Sequence, residues 1–398
     1  MNVLVLKPRQ QTLDYCLFAE GWSRPVLEGK YNDYRSDEGS RRALAALSQQ
    51  LHDLPPPLGS PPQPDLIALR SVFGGEEFRE PTVVNAKVIQ RLEQLVPHAP
   101  LHIPATLSLL RACRQSLKKV PLVLVFETAF FVDLPLREFR YALDPKLAQA
   151  RGLRRYGFHG IMHESVSNQV ARQRHEMGRH EPARILSICL EPQPELAAIL
   201  GNRPLMVTSG ATPLEGLPGQ TTCGELDPSI VIMLAQKKGW GPEQINNLLT
   251  RESGWLGITG EHVGLETLFV SEKPECQLAR EMFQYRLLQA CGAGIAALGG
   301  LDVIAFSGRH TGVGVNLGMW LKEKLTLRRP PSDKPIAIEF FSESVDRVIA
   351  DRACAAYLSA KTPRPEKAKP AARTKPVKRR TALPARSQLA PPRQPTSP

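Results

Sequence analysis

The chain has 398 residues, of which 42% are hydrophobic, and it carries a formal net charge of +12. This length is too great for one ordinary domain and suits two, with enough apolar residues for real cores. The first segment, NVLVL, lacks a basic start and a long apolar run, so the sequence predicts neither a signal peptide nor a transmembrane helix. Seven scattered cysteines without a CxxC pair favour reduced thiols, and hence a cytoplasmic protein, over a disulfide scaffold.

The positive charge is concentrated in residues 361–398. Eleven Lys/Arg and one acid give this tail a net charge of +10, which leaves +2 for the preceding 360 residues. Nine prolines and few large apolar residues predict a disordered, Lys/Arg/Pro-rich tail. Its densest cluster, KPVKRR, has no aromatic residue for base stacking. The tail is therefore either a solvated extension or a weak, salt-sensitive contact to nucleic acid or another polyanion, with an anionic membrane surface as a lesser option.

Two strand–turn–strand units predict a duplicated architecture. The segments NVLVLKPRQQTLDYCLFAE (2–20) and RILSICLEPQPELAAIL (184–200) each pair an apolar strand with a second strand across a polar turn. The segments LVLVFETAFF (122–131) and DVIAFSG (302–308) look like buried strands that run into functional loops.

Helical spacing of apolar residues dominates elsewhere. It predicts helices over 83–96, 105–117, 242–253 and 281–298. The proline-rich stretch at 54–64 is predicted to be a surface loop. Strands that alternate with helices indicate the α/β class.

Seven strings in this sequence resemble motifs of the acetate kinase (acetokinase) family, in the family's order and at similar spacing. They are LRSVFGGEEF (69–78), APLHIPATL (99–107), VFETAFF (125–131), RRYGFHG (154–160), TPLEGL (212–217), GELDPSI (224–230) and RESGWLGITG (251–260). The resemblance covers most of residues 1–355.

The resemblance implies two ribonuclease-H-like α/β domains of the actin/sugar-kinase type, with a cleft between them and assembly as a homodimer. Residues 1–130, with 345–360, would form the N-terminal lobe, and residues 131–344 the C-terminal lobe. The implied reaction moves a phosphoryl group between ATP and a short-chain carboxylate with Mg²⁺. That chemistry needs backbone amides around the phosphates, a held metal and nearby cations.

The two phosphate turns depart from the family pattern. The family's NCGSSSLK corresponds to KPRQQTLD (7–14), so that Lys7 and Arg9 replace Asn and Gly and Asp14 reverses a charge. The family's HLGNG corresponds to CLEPQ (189–193), where Glu191 brings a carboxylate and Pro192 lacks an amide donor. Both changes are expected to weaken phosphate binding.

The third nucleotide loop and the metal position have also changed. The family's GGIGEN corresponds to GRHTGV (308–313), which keeps Gly308 and, in a slid register, Gly312 as weak candidates for cofactor binding. The family's metal carboxylate falls on Val345, which cannot ligate Mg²⁺, so no metal ligand is predicted unless a register shift brings in Asp346 or Glu343. The arginine of the family's TRSGD string is Thr222.

The acyl-substrate side is better kept. Arg70 and His102 match family residues that bind substrate, while Glu127 and His159 match the catalytic positions, Glu127 with one extra methylene. A small carboxylate or phosphate is the implied ligand. Two other interpretations remain open: Arg70 and Glu127 pair across the cleft, and His159 is a structural histidine.

Three hypotheses follow. The first is a pseudokinase with a regulatory or scaffolding role. The second is a divergent but active kinase for acetate or another short-chain carboxylate, which would need ATP and Mg²⁺ and could use Lys7, Arg9 and Arg309 as substitute cations. The third is a nucleic-acid-associated protein that acts through its tail.

Overall fold

The computed structural model describes residues 1–9, 12–54, 63–100, 102–325 and 335–362. Most of the predicted loop at 54–64 and nearly all of the predicted disordered tail lie outside these residues. The strands, in chain order, are β1 (Val3–Pro8), β2 (Thr12–Phe18), β3 (Leu27–Asn32), β4 (Leu66–Ser71), β5 (Thr82–Val83), β6 (Leu122–Phe126), β7 (Arg184–Cys189), β8 (Glu195–Leu200), β9 (Arg203–Val207), β10 (Val303–Ser307) and β11 (Ala337–Phe340).

Helices connect and cover these strands. In chain order they are α1 (Asp37–Asp53), α2 (Ala86–Gln94), α3 (Ile103–Ser116), α4 (Leu136–Phe139), α5 (Pro145–Arg151), α6 (Gly160–Glu176), α7 (Pro228–Lys238), α8 (Pro242–Arg251), α9 (Gly254–Thr259), α10 (Leu265–Val270), α11 (Pro274–Leu298), α12 (Gly314–Lys324) and α13 (Val345–Lys361). Among the described residues, no helix combines the length and the apolar character needed to cross a membrane.

The described strands form two mixed sheets with closely related topology. The first has the order β3-β2-β1-β4-β6-β5, and the second has the order β11-β10-β7-β8-β9. In both, the opening strand pairs antiparallel with the next strand and parallel with a later one, as β1 does with β2 and β4, and β7 with β8 and β10. The predicted α/β class and the two strand–turn–strand units are therefore confirmed.

The first sheet is buried on both faces because its strands are apolar at successive positions. Leu4 and Leu6 of β1 point into a core that includes Leu44 of α1 and Leu109 of α3. This core packs against one face of the first sheet. The second sheet is covered in the same way, since its two faces contribute to separate clusters, one with α11 and α12 and the other with α6.

The opposite face of the first sheet belongs to a second cluster, here called the joint cluster. It takes residues from the first sheet, α6, the end of β7 and α13: Val3, Val5, Cys16, Phe18, Leu66, Ala68, Val123, Val125, Ile161, Met162, Cys189, Val348, Ile349, Ala350 and Ala353. Thus α13 packs on the first sheet, although it follows the second sheet in sequence. The lobe boundaries drawn from the sequence remain a prediction.

Candidate functional site

Most of the charged residues singled out in the sequence lie where parallel strands end. In the first sheet these ends belong to β1, β4 and β6, and in the second sheet to β7 and β10. The carboxyl ends of parallel strands are where open α/β sheets bind ligands.

Arg70 and Glu127 form an ion pair at the ends of two neighbouring strands. Arg70 lies on β4 and Glu127 follows β6, and the Arg70 Nε donates to Glu127 Oε1 at 2.5 Å. Their side chains are 16% and 2% exposed. Burial acts to lower the pKa of Arg70, but the Glu127 carboxylate outweighs it and raises that pKa. The expected pairing is therefore present, but within the first sheet rather than across the cleft.

Glu127 also holds the start of α6. Its second carboxylate oxygen accepts the Ile161 N–H at 3.2 Å, and its backbone carbonyl accepts the Gly160 N–H at 3.1 Å. A carboxylate at a helix N-terminus is stabilised by the unpaired amides and the helix dipole. Glu127 thus links Arg70 to the RRYGFHG segment, which ends at Gly160.

His159 is fixed through both its backbone and its ring. Its N–H donates to Glu195 Oε1 at 2.9 Å, and its Nε2 lies 3.0 Å from the Gln193 carbonyl oxygen. Because a carbonyl oxygen can only accept, Nε2 carries the proton in this contact. The His159 ring therefore points at the turn between β7 and β8.

His102 precedes α3 and lies near Arg70. Burial, followed by the charges of Arg35 and Arg70, lowers the pKa of His102 to about 4. A histidine with this pKa is neutral at physiological pH. The structure thus brings Arg70, His102 and Glu127 together. His159 is near them because the next residue, Gly160, donates its N–H to the Glu127 carbonyl.

The two cations of the first turn, Lys7 and Arg9, form ion pairs with carboxylates of the same chain. Lys7 is 8% exposed and forms an ion pair with Asp346 at the start of α13, and Arg9 forms an ion pair with Asp14. Burial acts to raise the pKa of Asp14, but Arg9 outweighs it, so that pKa lies below its ordinary value. Each cation of this turn therefore already has a carboxylate partner.

The second turn carries the same pattern. Glu191 accepts the Arg309 N–H at 3.1 Å on Oε1 and the Arg309 Nε at 2.9 Å on Oε2. The Pro192 carbonyl accepts the Gln220 N–H at 2.7 Å, while Pro192 has no N–H of its own to offer. Both charged residues of this pair can be recognised in the sequence, but their contact depends on the fold.

Gly308 and Gly312 differ in what their positions require. Gly308 follows β10 with φ +91°, and an added Cβ would lie 2.7 Å from the Leu190 carbonyl oxygen. This backbone needs glycine whether or not a nucleotide binds. Gly312 lies further along the loop, in a short 3₁₀ turn (Thr311–Val313), and an added Cβ there would meet open space.

Sequence reasoning missed a buried polar network behind the second turn. Glu195, at 0% exposure, accepts the N–H groups of Phe158 and His159, both at 2.9 Å. The ring of His163 lies beside it, with Nε2 3.3 Å from Glu195 Oε1 and Nδ1 2.8 Å from Ser187 Oγ. The available signal was a carboxylate in the otherwise apolar ELAAIL segment.

ATP with Mg²⁺ does not fit the residues at these turns. The cations Lys7 and Arg309 are bound to carboxylates of the chain, and Val345 packs against the joint cluster. Glu343 accepts hydrogen bonds from Ser165 and Gln169 at 3.3 and 3.1 Å. Over residues 1–9, 12–54, 63–100, 102–325 and 335–362, no group of three or more His, Cys, Asp and Glu side chains could hold a metal.

Thr222 does not replace the lost arginine. Its Oγ1 is buried and has no hydrogen-bond partner within the described part of the chain. A short neutral hydroxyl cannot supply the charge of a guanidinium group.

Comparisons of sequence relate this chain to kinases of short carboxylates. The model of the Acetokinase family matches residues 28–326. An acetate kinase from Syntrophobacter fumaroxidans is 39% identical over 250 residues, which are 62% of this chain and 59% of that protein. Acetate kinase 2 from Clostridium perfringens is 35% identical over 280 residues, 69% of this chain and 68% of that protein. The first alignment spans less than two thirds of that relative's length.

Solved structures with the same fold include two enzymes. The acetate kinase from Porphyromonas gingivalis superposes with a TM-score of 0.74 at 26% identity, over 89% of this chain and 99% of that chain. A propionate kinase from Francisella tularensis has a TM-score of 0.75 at 23% identity, over 88% and 98%, and this likeness concerns the fold. These matches confirm the expected actin/sugar-kinase type of fold. The family match excludes both the first turn (7–14) and Val345.

Proposed function

Because the chain belongs to the acetokinase family, we propose that it is a pseudokinase of that family, which keeps a small-anion site and does not transfer phosphate from ATP. The observation that carries this proposal is the internal pairing of the turn cations. Lys7 is bound to Asp346, and Arg309 is bound to Glu191. Cations that are already neutralised do not offer an incoming triphosphate the charge that phosphoryl transfer needs.

The Glu191 carboxylate also directly disfavours phosphate binding. A phosphate oxygen about 4 Å from the Glu191 carboxylate would be repelled by roughly 4 kcal/mol at an intermediate dielectric. That energy corresponds to about a thousandfold in affinity. Pro192 removes one amide donor from the same turn.

The ligand we propose for the remaining site is a small carboxylate or phosphate at Arg70. Its guanidinium is positioned by Glu127 at Nε, and its Nη1 lies 3.4 Å from the Pro8 carbonyl. Neutral His102 and the His159 segment lie close by. Binding there would give the protein a regulatory or scaffolding role that senses such an anion.

A second candidate is an active kinase for acetate or another short-chain carboxylate. It is favoured by the names of the relatives, which are acetate kinases 35–39% identical to this chain. The presence together of Arg70, His102, Glu127 and His159 also supports it. Such an enzyme would require ATP and Mg²⁺, and its phosphate cations would have to leave their carboxylate partners.

Two measurements on the purified chain decide between these candidates. The first follows ADP formation from ATP and Mg²⁺ with acetate or propionate, beside an acetate kinase as positive control. The second is the shift in unfolding free energy with ATP and Mg²⁺, where a ligand at 100 times its Kd adds about 2.7 kcal/mol. The pseudokinase proposal expects no turnover and no shift. Turnover at an ordinary kinase rate would establish the second candidate.

We also propose a cytoplasmic homodimer. All seven cysteines of the chain lie among the described residues as free thiols, which supports a reducing compartment. The dimer rests on the family resemblance alone. The polyanion contact rests on the sequence of the tail, of which residues 363–398 lie outside the described residues.

A further inference from the structure

Glu191 occupies a set of donors that would suit a bound anion. The Arg309 backbone N–H and guanidinium converge on its two carboxylate oxygens at 3.1 and 2.9 Å. An amide and a guanidinium directed at two oxygens of one group is how proteins bind carboxylates and phosphates. The Glu191 side chain is only 15% exposed, whereas that of Arg309 is 44% exposed.

Cations from both halves of the molecule surround this carboxylate. Burial acts to raise the pKa of Glu191, but Arg309, His159 and Arg9 together outweigh it and lower that pKa. Arg9 directly follows β1 of the first sheet, while Arg309 follows β10 of the second sheet. The charge of Glu191 also acts on Arg70. A carboxylate at this point therefore meets positive potential from several directions.

The backbone holds the two partners in register. The Leu190 N–H donates to the Ser307 carbonyl at 2.7 Å, and the His310 N–H donates to the Leu190 carbonyl at 3.0 Å. Because these bonds tie the turn after β7 to the loop after β10, Glu191 needs no large rearrangement to reach Arg309. An internal group positioned in this way competes with a free ligand at a high effective concentration.

We infer that this pair is an anion-binding site that the chain fills with its own carboxylate, and that a phosphate-class anion binds at Arg309 once that carboxylate is removed. The inference rests on the proposed function, since it explains why the native cleft would not accept a nucleotide phosphate. In this interpretation the Glu191 carboxylate occupies the anion site at Arg309.

A calorimetric titration of the full chain with inorganic phosphate tests this inference. Glu191→Gln and Glu191→Gly should each bind phosphate at least tenfold more tightly than the native chain. The matched control is Glu266→Gln in α10, which removes a carboxylate that contacts the same loop, since Glu266 Oε1 lies 2.7 Å from the His310 Nδ1. That variant should bind phosphate no more tightly than the native chain.

Arg309 supplies the second arm. Adding Arg309→Gln to Glu191→Gln should abolish the gain in phosphate affinity. Arg309→Gln alone should leave the phosphate affinity of the native chain unchanged, because any phosphate bound at Arg70 does not use Arg309. This measurement does not depend on whether the Glu191 variants fold. A loss of phosphate binding in Arg309→Gln alone, or no gain in folded Glu191 variants, would overturn the inference.

The two proposals fail in different ways. If the native chain phosphorylates acetate, the pseudokinase proposal fails, whatever the Glu191 variants do. If the native chain is inactive but the folded Glu191 variants gain no phosphate affinity over the native chain, only the internal-anion inference fails.

Discussion

Glu195 is a fully buried carboxylate within the apolar strand β8. A buried charge is stable only where hydrogen bonds and an opposite charge replace the water it has lost. Two backbone N–H groups supply hydrogen bonds, and the His163 ring lies 3.3 Å from the same carboxylate. The two N–H groups belong to Phe158 and His159, so Glu195 fixes the segment that carries His159. The position of His159 therefore depends on Glu195, a residue with no exposed surface.

Replacing this carboxylate should cost considerable stability. Glu195→Gln removes the charge and gives the two N–H groups only one acceptor oxygen, so we expect the free energy of unfolding to fall by about 3 kcal/mol. Urea denaturation measures it. Glu181→Gln, on an exposed side chain, is the control and should change stability by less than about 0.5 kcal/mol. Equal effects of the two variants would contradict the assigned role.

The same carboxylate predicts a pH dependence. Burial acts to raise the pKa of Glu195, but the adjacent His163 ring, followed by the nearby His159, lowers it to about 2. Because the folded pKa lies below the unfolded one, the stabilisation is complete above about pH 5 and is lost as the pH falls toward about 2. The stability difference between the native chain and Glu195→Gln should narrow by more than half between about pH 6 and about pH 3. A constant difference would argue against this charge.

His102, near Arg70, gives a prediction that spectroscopy can test. Its ring should titrate with a pKa of about 4, and NMR of the labelled histidine can follow this. Arg70→Gln should raise that pKa, because it removes a nearby positive charge while Glu127 stays. Arg79→Gln, at an exposed ion pair with Asp133, is the matched control and should leave it unchanged. A His102 pKa near 6.5 in the native chain would show that the ring is solvated.

At the scale of the loop after β10, the two glycines should respond oppositely. Gly308→Ala forces a Cβ against the Leu190 carbonyl at a left-handed φ of +91°, so we expect a loss of about 1–3 kcal/mol in stability. Gly312→Ala meets open space and should be neutral or slightly stabilising. Thermal unfolding of both variants checks this. A similar cost at both positions would mean that Gly312 has a structural role that the geometry does not reveal.

Elements with strong local patterns could be predicted from the sequence. Alternating or continuous apolar residues located β1, β6, β7 and β10, and the helix predicted over 281–298 lies within α11. The prediction over 83–96 began too early, because Thr82 and Val83 pair with β6 and the Asn85 side chain caps α2. Periodicity identifies a face to be buried but not its register against a neighbouring strand.

The candidate site was only partly predictable, because local patterns do not show which distant segments become neighbours. The motifs gave the residue types at Arg70, Glu127 and His159, but which charges neutralise one another depends on strand ends far apart in sequence. Glu191 and Arg309 are 118 positions apart and meet only because β7 and β10 are neighbours. The pairing of Lys7 with Asp346 likewise required α13 to return to the first sheet.

At the scale of the whole molecule, charge is divided between a nearly neutral body and a basic tail. Residues 361–398 carry a net charge of +10, against +2 for the rest of the chain. If the tail contacts polyanions, a chain truncated after Ala360 should bind duplex DNA at least tenfold more weakly than the full chain, with a smaller salt dependence. Electrophoretic mobility at two salt concentrations measures this.

The tail prediction has an internal control. Changing Lys375, Lys378, Arg379 and Arg380 to Gln keeps the length of the tail and lowers its charge, so it should reduce DNA binding without altering the body. Equal binding by the full and truncated chains would exclude the tail as the contact.

The joint cluster has a consequence for how the molecule moves. Ile161, Cys189 and Ile349 are completely buried side chains that come from α6, the second sheet and the C-terminal helix, and all three rest on the first sheet. Separating the two sheets at this point would expose the apolar surface of the joint cluster to water, at a free-energy cost of about 25 cal/mol for every Å² exposed. We therefore expect residues 1–361 to unfold in one cooperative transition rather than lobe by lobe, which calorimetry can check by comparing the calorimetric and van't Hoff enthalpies.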